Sequence, residues 1–244
     1  MLVYLDNNII IDHEKRLKVL PFNKSIKYVY SYVHLVELKE AKTNLDNLKG
    51  IRLTTIENLT NRRCVFNDDN NVLTLYKANP INIYSIIESP ISNLLSQKLH
   101  DASKHWKVDT NPKYLMEKLG IKKIEINNYT PEQIVEKHGN LICYFVEQTC
   151  NCKQEVFLSC FNILDALGFW QDKINKGSTL NRLYDANHAY FASTCDYFVT
   201  DDRNTRNKAN CVYKLYGYNT KAISYKDFIE TTNMSDTNKS KSNH

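Results

Sequence analysis

Two short, continuously apolar runs bracket the chain, and both end in acids. Leu2, Val3, Tyr4 and Leu5 lead into Asp6; Tyr197, Phe198 and Val199 lead into Thr200, Asp201 and Asp202. Uninterrupted β-type runs of this length predict strands of a buried parallel sheet. After the first run, residues 7–20 mix Ile9, Ile10, Ile11, Leu17 and Leu20 with charges, which predicts a short amphipathic helix. Pro21 and the polar residues 23–25 stop it. Residues 26–30 predict a second strand, and Ser31 suits the N-cap of a helix over about 32–45 with Val33, Leu35 and Val36 toward the core. Glu37 falls inside that pattern, so its carboxylate is either turned outward or held against something positive.

The middle of the chain is patterned for helices. Residues 62–68 and 72–76 flank an Asp-Asn-Asn turn and predict a hairpin. Residues 80–107 have spacing for one or two helices, and the stretch ending at Gly120 reads as a helix end. Thr130-Pro131-Glu132-Gln133 is a capping box. Two helices follow to Gly168, the second burying Phe157, Phe161, Leu164 and Leu167.

The late part returns to alternating elements. A helix is expected to start at Asp185 and to pack through Ala186, Ala189, Tyr190, Phe191 and Ala192, ahead of the strand 197–199. A helix over 204–215 closed by Gly217, a strand at 220–223 and a terminal helix begun by Ser224 and Asp227 complete the order. Residues 232–244 have almost no apolar side chains and are expected to be a disordered tail. Strands and helices alternating at both ends of the chain imply an α/β fold with a central parallel sheet. The expected organisation is one domain over 1–231, with a core in about 1–45 and 181–231 and a helical elaboration over about 46–180.

Composition narrows the class without choosing a function. A 244-residue chain that is 42% hydrophobic can bury a full core. The net charge of +5 permits nucleic acid as a partner but does not require it. No apolar run approaches the roughly 18 residues of a membrane span, and no signal-peptide order opens the chain, so no membrane association and a cytoplasmic location are expected. Seven cysteines without secretory context suggest reduced thiols. Cys143, Cys150, Cys152 and Cys160 can be read as zinc ligands, but the C-x6-C-x-C-x7-C spacing lacks paired knuckles; buried thiols are the favoured reading.

The chemistry lies in the acids. Asp6, Glu37, Asp185 and Asp202, with Asp201 adjacent, sit at strand ends or on helices entering from them. Open α/β sheets bind ligands beyond their strand carboxyl ends, and clustered carboxylates repel unless protonated or bridged by cations. Oxygen ligands suit Mg²⁺ or Mn²⁺, and such sites activate water for phosphoryl chemistry. Any one of these acids alone is more often a cap or turn residue.

Four pieces together resemble the PIN-domain family of metal-dependent nucleases: the first strand with Asp6; Ser31 with Glu37; D-x2-H-x3-A at Asp185, His188 and Ala192; and C-D-Y-F-V-T-D-D-R over Cys195–Arg203. The resemblance implies a three-layer α/β/α, toxin-like core carrying a helical insertion. It implies a Mg²⁺- or Mn²⁺-dependent endoribonuclease leaving 5′-phosphate and 3′-hydroxyl ends. Asp6, Glu37, Asp185 and Asp202 carry over as the metal-site acids, with Asp201 a less certain neighbour. RNA of unspecified class is then the substrate, and a homodimer and an antitoxin or regulatory protein are the partners such proteins have.

Other side chains are open to two readings. His188 shares a helix face with Asp185 and can bond a metal-site carboxylate or a phosphate, or simply pack at a helix–sheet junction. Arg203, Arg206 and Lys208 can meet an RNA backbone or form a solvated face; Arg62 and Arg63 are weaker candidates of the same kind. Thr200 either touches substrate or positions the acidic loop. Two rivals remain: an inactive PIN-like RNA-binding or scaffold protein, and a haloacid-dehalogenase-type phosphatase. The phosphatase pattern needs a second Asp where Asn8 stands. No G-x-S-x-G elbow supports a serine hydrolase.

Overall fold

The four strands β1 (Leu2–Leu5), β2 (Lys27–Val29), β5 (Tyr197–Val199) and β6 (Lys221–Ile223) form one parallel sheet in the order β2-β1-β5-β6. The structure is a computed structural model that describes residues 1–40, 46–68, 70–88, 112–122, 129–148, 150–170 and 178–241. Alternation along the strands divides the core in two. Tyr4, Val29, Phe198 and Ala222 enter one buried cluster, whereas Val3, Leu5, Tyr28 and Val199 enter another. Both faces of the sheet are therefore covered, which is why its strands are apolar throughout.

The chain leaves the two central strands in opposite directions. From β1, helix α1 (Asn7–Glu14) leads outward to β2; from β5, helix α9 (Arg203–Leu215) leads outward to β6 on the other side. Right-handed crossovers that diverge in this way must place their helices on opposite faces. Ile9 and Ile10 of α1 lie in one cluster and Ala209, Cys211 and Val212 of α9 in the other. The carboxyl ends of β1 and β5 therefore meet at the topological switch point of the sheet.

The remaining described elements are α2 (Tyr32–Glu40), α3 (Asp46–Thr60), β3 (Arg63–Asn67), β4 (Leu73–Lys77), α4 (Pro80–Ile87), α5 (Pro112–Lys118), α6 (Pro131–Glu147), α7 (Lys153–Ala166), α8 (Ser178–Ala192) and α10 (Tyr225–Lys241). The Ser31 hydroxyl accepts from the Val33 N–H at 3.3 Å, as an N-cap does. The hairpin β3–β4 forms and joins the sheet side of β2 through a bridge between Tyr30 and Cys64. Phe157, Phe161, Leu164 and Leu167 of α7 and its end are buried as their spacing predicts. Gly217 takes a left-handed φ of +70° just beyond α9, where a residue with a Cβ would be strained.

Three expectations differ from the structure, and a fourth is met only as far as the described residues reach. The first helix stops at Glu14 rather than 20, with Arg16 at a left-handed φ of 59°. Asp185 lies in the middle of α8, which begins at Ser178, not at a helix start. Residues 232–241, expected to be disordered, continue α10, and Thr232 is buried. The apolar helix spacing over 80–107 is realised as α4 up to Ile87; residues 89–111 lie outside the described residues.

The capping box at Thr130 is fully formed, its side chain accepting from the Gln133 N–H while Gln133 accepts from the Thr130 N–H. Replacing Thr130 with Ala removes one of these bonds from a 17-residue helix. A loss of about 1 kcal/mol is expected by denaturant unfolding.

Candidate acidic site at the sheet switch point

Asp6 follows Leu5 directly, and its N–H still donates to the Val199 carbonyl at 2.9 Å, so the carboxylate begins where the ladder ends. Thr200 follows Val199 on the neighbouring strand, and its N–H donates to the Ile223 carbonyl. The buried Thr200 hydroxyl donates to Asp6 Oδ2 at 2.9 Å and accepts from the Asp202 N–H at 3.2 Å. One threonine thus ties the two strand mouths together. Asp202 Oδ1 accepts from the Thr205 N–H and caps α9, which fixes the turn of the acidic loop.

Glu37 and Asp185 come from α2 and α8. Glu37 is held by two donors: Oε2 accepts from His188 Nε2 at 3.1 Å and from Asn7 Nδ2. The charges of Asp6, Asp202 and Glu37 all bear on Asp185. Burial first, and then those three charges, push the Asp185 carboxyl well above its ordinary range. Asp6 is raised as well, chiefly by burial, with Glu37 adding to the rise and His188 and Thr200 opposing it. Burial would raise Glu37 too, but His188 and the bonds from His188 and Asn7 outweigh it and hold the carboxyl low. For His188, burial opposes the charge, yet Glu37, Asp6 and Asp185 together raise it above the usual imidazole value.

Beneath these acids lies a polar network that spacing along the chain did not reveal. The Tyr4 hydroxyl, fully buried, meets His188 Nδ1 at 2.7 Å and Ser31 Oγ at 2.7 Å. His34, also fully buried, accepts from the Ser31 N–H at Nδ1, so Nε2 carries its hydrogen and donates to the Leu5 carbonyl at 2.8 Å. Burial and the neighbouring His188 lower His34 to about 3, leaving it neutral. Tyr4 stands two residues before Asp6, on the same side of the strand. That offset, and the polar Asn7 next to Asp6, were the only signals in the sequence for this layer.

Several predicted contacts are taken by the protein itself. Asp201 is committed: Oδ1 accepts from the Tyr225 N–H and Oδ2 pairs with Lys18 at 2.7 Å. Burial works against its charge, but those partners hold its carboxyl low. It latches α10 and the loop after α1 rather than joining the acids above. Arg206 donates to the Thr200 carbonyl at 3.0 Å and braces the acidic loop. Lys208 is buried, paired with Asp165 at 2.5 Å, and so does not present itself to RNA. Arg62 pairs with Glu57, and Arg63 donates to the Thr60 carbonyl. Thr200 and His188 are buried, while Arg203 and Asp202 face solvent.

The donor chemistry fits a hard divalent cation, since the acids at the mouth supply only oxygens and Asp6 and Asp185 gain from a neighbouring positive charge. The Asn7 amide oxygen, in a side chain bonded to Glu37, finds no hydrogen-bond partner among the described residues. Among the described residues, no three His, Cys, Asp or Glu side chains already close on one point at ligand distance. The same holds for the cysteines, all of which are free thiols, with Cys64, Cys160, Cys195 and Cys211 buried. No described helix is long and apolar enough to cross a membrane.

No family model, curated protein or solved structure matches this chain. What is established is therefore the class of architecture: a mixed α/β protein around a four-stranded parallel sheet. Its acids gather at the sheet's switch point, and the functional reading rests on that site alone.

Proposed function

We propose that this chain is a Mg²⁺- or Mn²⁺-dependent endoribonuclease on a PIN-like, three-layer α/β/α fold. The observation that carries the reading is that the charges of Asp6, Asp202 and Glu37 all act on the Asp185 carboxyl, with Asp6 and Asp202 just beyond the ends of two adjoining strands. Four acids from four separate segments repel one another unless protonated or bridged, and a bound divalent cation would relieve that repulsion. Asp6, Asp185 and Asp202 would hold the ion, with Glu37 beside them. Bound there, it would supply a water of lowered pKa and a positive charge for the leaving oxygen.

The protein's own groups set the stage for in-line attack. Thr200 fixes Asp6 and the backbone of Asp202, and Arg206 fixes Thr200. Asp202 and Arg203 stand on the solvent side, where a phosphodiester can approach and Arg203 can meet its charge. A haloacid-dehalogenase-type reaction is disfavoured because Asn7 and Asn8, not a second Asp, follow the first-strand acid.

The test is cleavage of total RNA with Mn²⁺ or Mg²⁺, beside an EDTA control and Asp202→Asn. Asn is as good an N-cap as Asp, so the variant keeps α9 and changes the charge. Cutting that needs the ion and is lost in the variant is the expected result. RNA bound but uncut by the wild type would replace the nuclease by a binding protein.

A further inference from the structure

We propose that His188 is the positioning residue that orients Glu37 in the acid cluster, with Tyr4 as the anchor that orients His188. The inference deepens the metal-dependent reading above and rests on it. Its geometry is a chain of three side chains from three elements: Tyr4 on β1, His188 on α8 and Glu37 on α2. These same elements deliver Asp6, which follows β1 directly, Asp185 and Glu37 to the site. Each link is short, at 2.7 Å and 3.1 Å, and both Tyr4 and His188 are at most 1% exposed.

The direction of the bonds is consistent. Val33 N–H donates to Ser31 Oγ, Ser31 Oγ meets the Tyr4 hydroxyl, and that hydroxyl meets His188 Nδ1. The opposite ring nitrogen, Nε2, then donates to Glu37 Oε2. A carboxylate accepts only, so Nε2 must carry hydrogen whether the ring is neutral or charged, and the orienting bond survives either state. Asn7 donates to the same oxygen, Oε2. Two donors on one oxygen fix the carboxylate plane, while the Glu37 side chain keeps 25% of its surface exposed.

This arrangement matches the way ligating or water-orienting carboxylates are held by outer hydrogen bonds. Glu37 sits on a long side chain with three rotatable bonds, and without a fixed donor it would sample positions away from the cluster. His188 has no surface with which to bind phosphate, since its ring is buried and both nitrogens are engaged. Its role is exerted through Glu37.

The experiment is a Mn²⁺ titration by calorimetry on wild type, Glu37→Gln, His188→Leu, His188→Gln, Tyr4→Phe and the double variant Glu37→Gln/His188→Leu. Circular dichroism and thermal melting are recorded for each. Loss of an outer-layer partner typically costs 10–100-fold in metal affinity. His188→Leu is expected to weaken Mn²⁺ binding roughly tenfold, and His188→Gln, which keeps a donor near Nε2, to recover most of it. Tyr4→Phe should give a smaller loss in the same direction. The double variant should be no weaker than Glu37→Gln alone, because both changes remove one function.

Wild-type affinity in a folded His188→Leu protein, or fully additive losses in the double variant, would overturn the positioning role and leave the metal site standing. Should His188→Leu fail to fold, Tyr4→Phe and His188→Gln decide the matter by the same criteria. No Mn²⁺ binding by the wild type would instead overturn the metal-dependent reading itself, and the positioning role with it.

Discussion

On the proposed nuclease reading, Asp185→Asn is expected to cripple RNA cleavage and to raise the melting temperature of the metal-free protein. Both effects follow from one cause. The Asp185 carboxyl is raised well above its ordinary value by burial and by Asp6, Asp202 and Glu37. A carboxyl raised in the folded state holds its proton more tightly there than in the unfolded chain. The stability it contributes is complete below the unfolded value near 4 and is lost as pH rises through the higher folded value. Asn has the same shape and no charge to lose, so the gain should be small at pH 4 and grow toward neutrality. In EDTA at pH 7.5 a gain of about 1 kcal/mol would appear as a rise of roughly 2–4 °C for a chain of this size. Cleavage should fall on the order of a thousandfold, the scale of a lost electrostatic group in a transition state. Saturating Mn²⁺ should stabilise the wild type and narrow the difference, because a bound cation offsets the repulsion that Asn removes. Parallel melting curves across pH for the two proteins would show that Asp185 does not share the field of the other acids.

What could be read from the sequence was what depends on neighbours along the chain. The apolar runs ending at Asp6 and Asp202 specified buried strands with acids at their mouths, and the switch point follows from them. The capping box at Thr130 and the Ser31 cap were equally local. Asp185 was misplaced because its position in α8 depends on a start at Ser178, and the apolar residues that suggested the helix begin only after it. The layer under the acids was not legible, since Tyr4 and His188 are 184 residues apart and neither marks the other. Glu37 stood out as an acid in an apolar pattern, but that His188 and Asn7 face it was a matter of tertiary packing. Lys18 illustrates the same limit: nothing near it in sequence announces Asp201, and that pairing is what removes Asp201 from the candidate ligands.

Lys208 was the clearest failure of pattern reading, and it carries the largest stability effect expected of a single substitution. A lysine soon after an acidic loop reads as a solvated or RNA-facing cation. Instead it lies at 1% side-chain exposure between α9 and α7, with its ammonium 2.5 Å from Asp165 and 5.9 Å from the centre of the Phe161 ring. Asp165 is 2% exposed and is also approached by Arg182 at 3.5 Å. This pair joins the helix that bears the acidic loop to a helix of the middle elaboration. Asp165→Leu takes a carboxylate 2.5 Å away from a lysine that is 1% exposed, at an expected cost of about 3–5 kcal/mol. On this length of chain the melting temperature should drop by roughly 10 °C. Arg182 is 26% exposed and can turn to water, so it adds little to the loss. Asp165→Leu combined with Lys208→Met removes both charges and fills the space with carbon. That double variant should return to within about 1–2 kcal/mol of wild type, because well-packed apolar residues replace buried pairs at little cost. Equal destabilisation in the single and double variants would mean that packing at this junction, not the loss of the Asp165 charge, sets the cost.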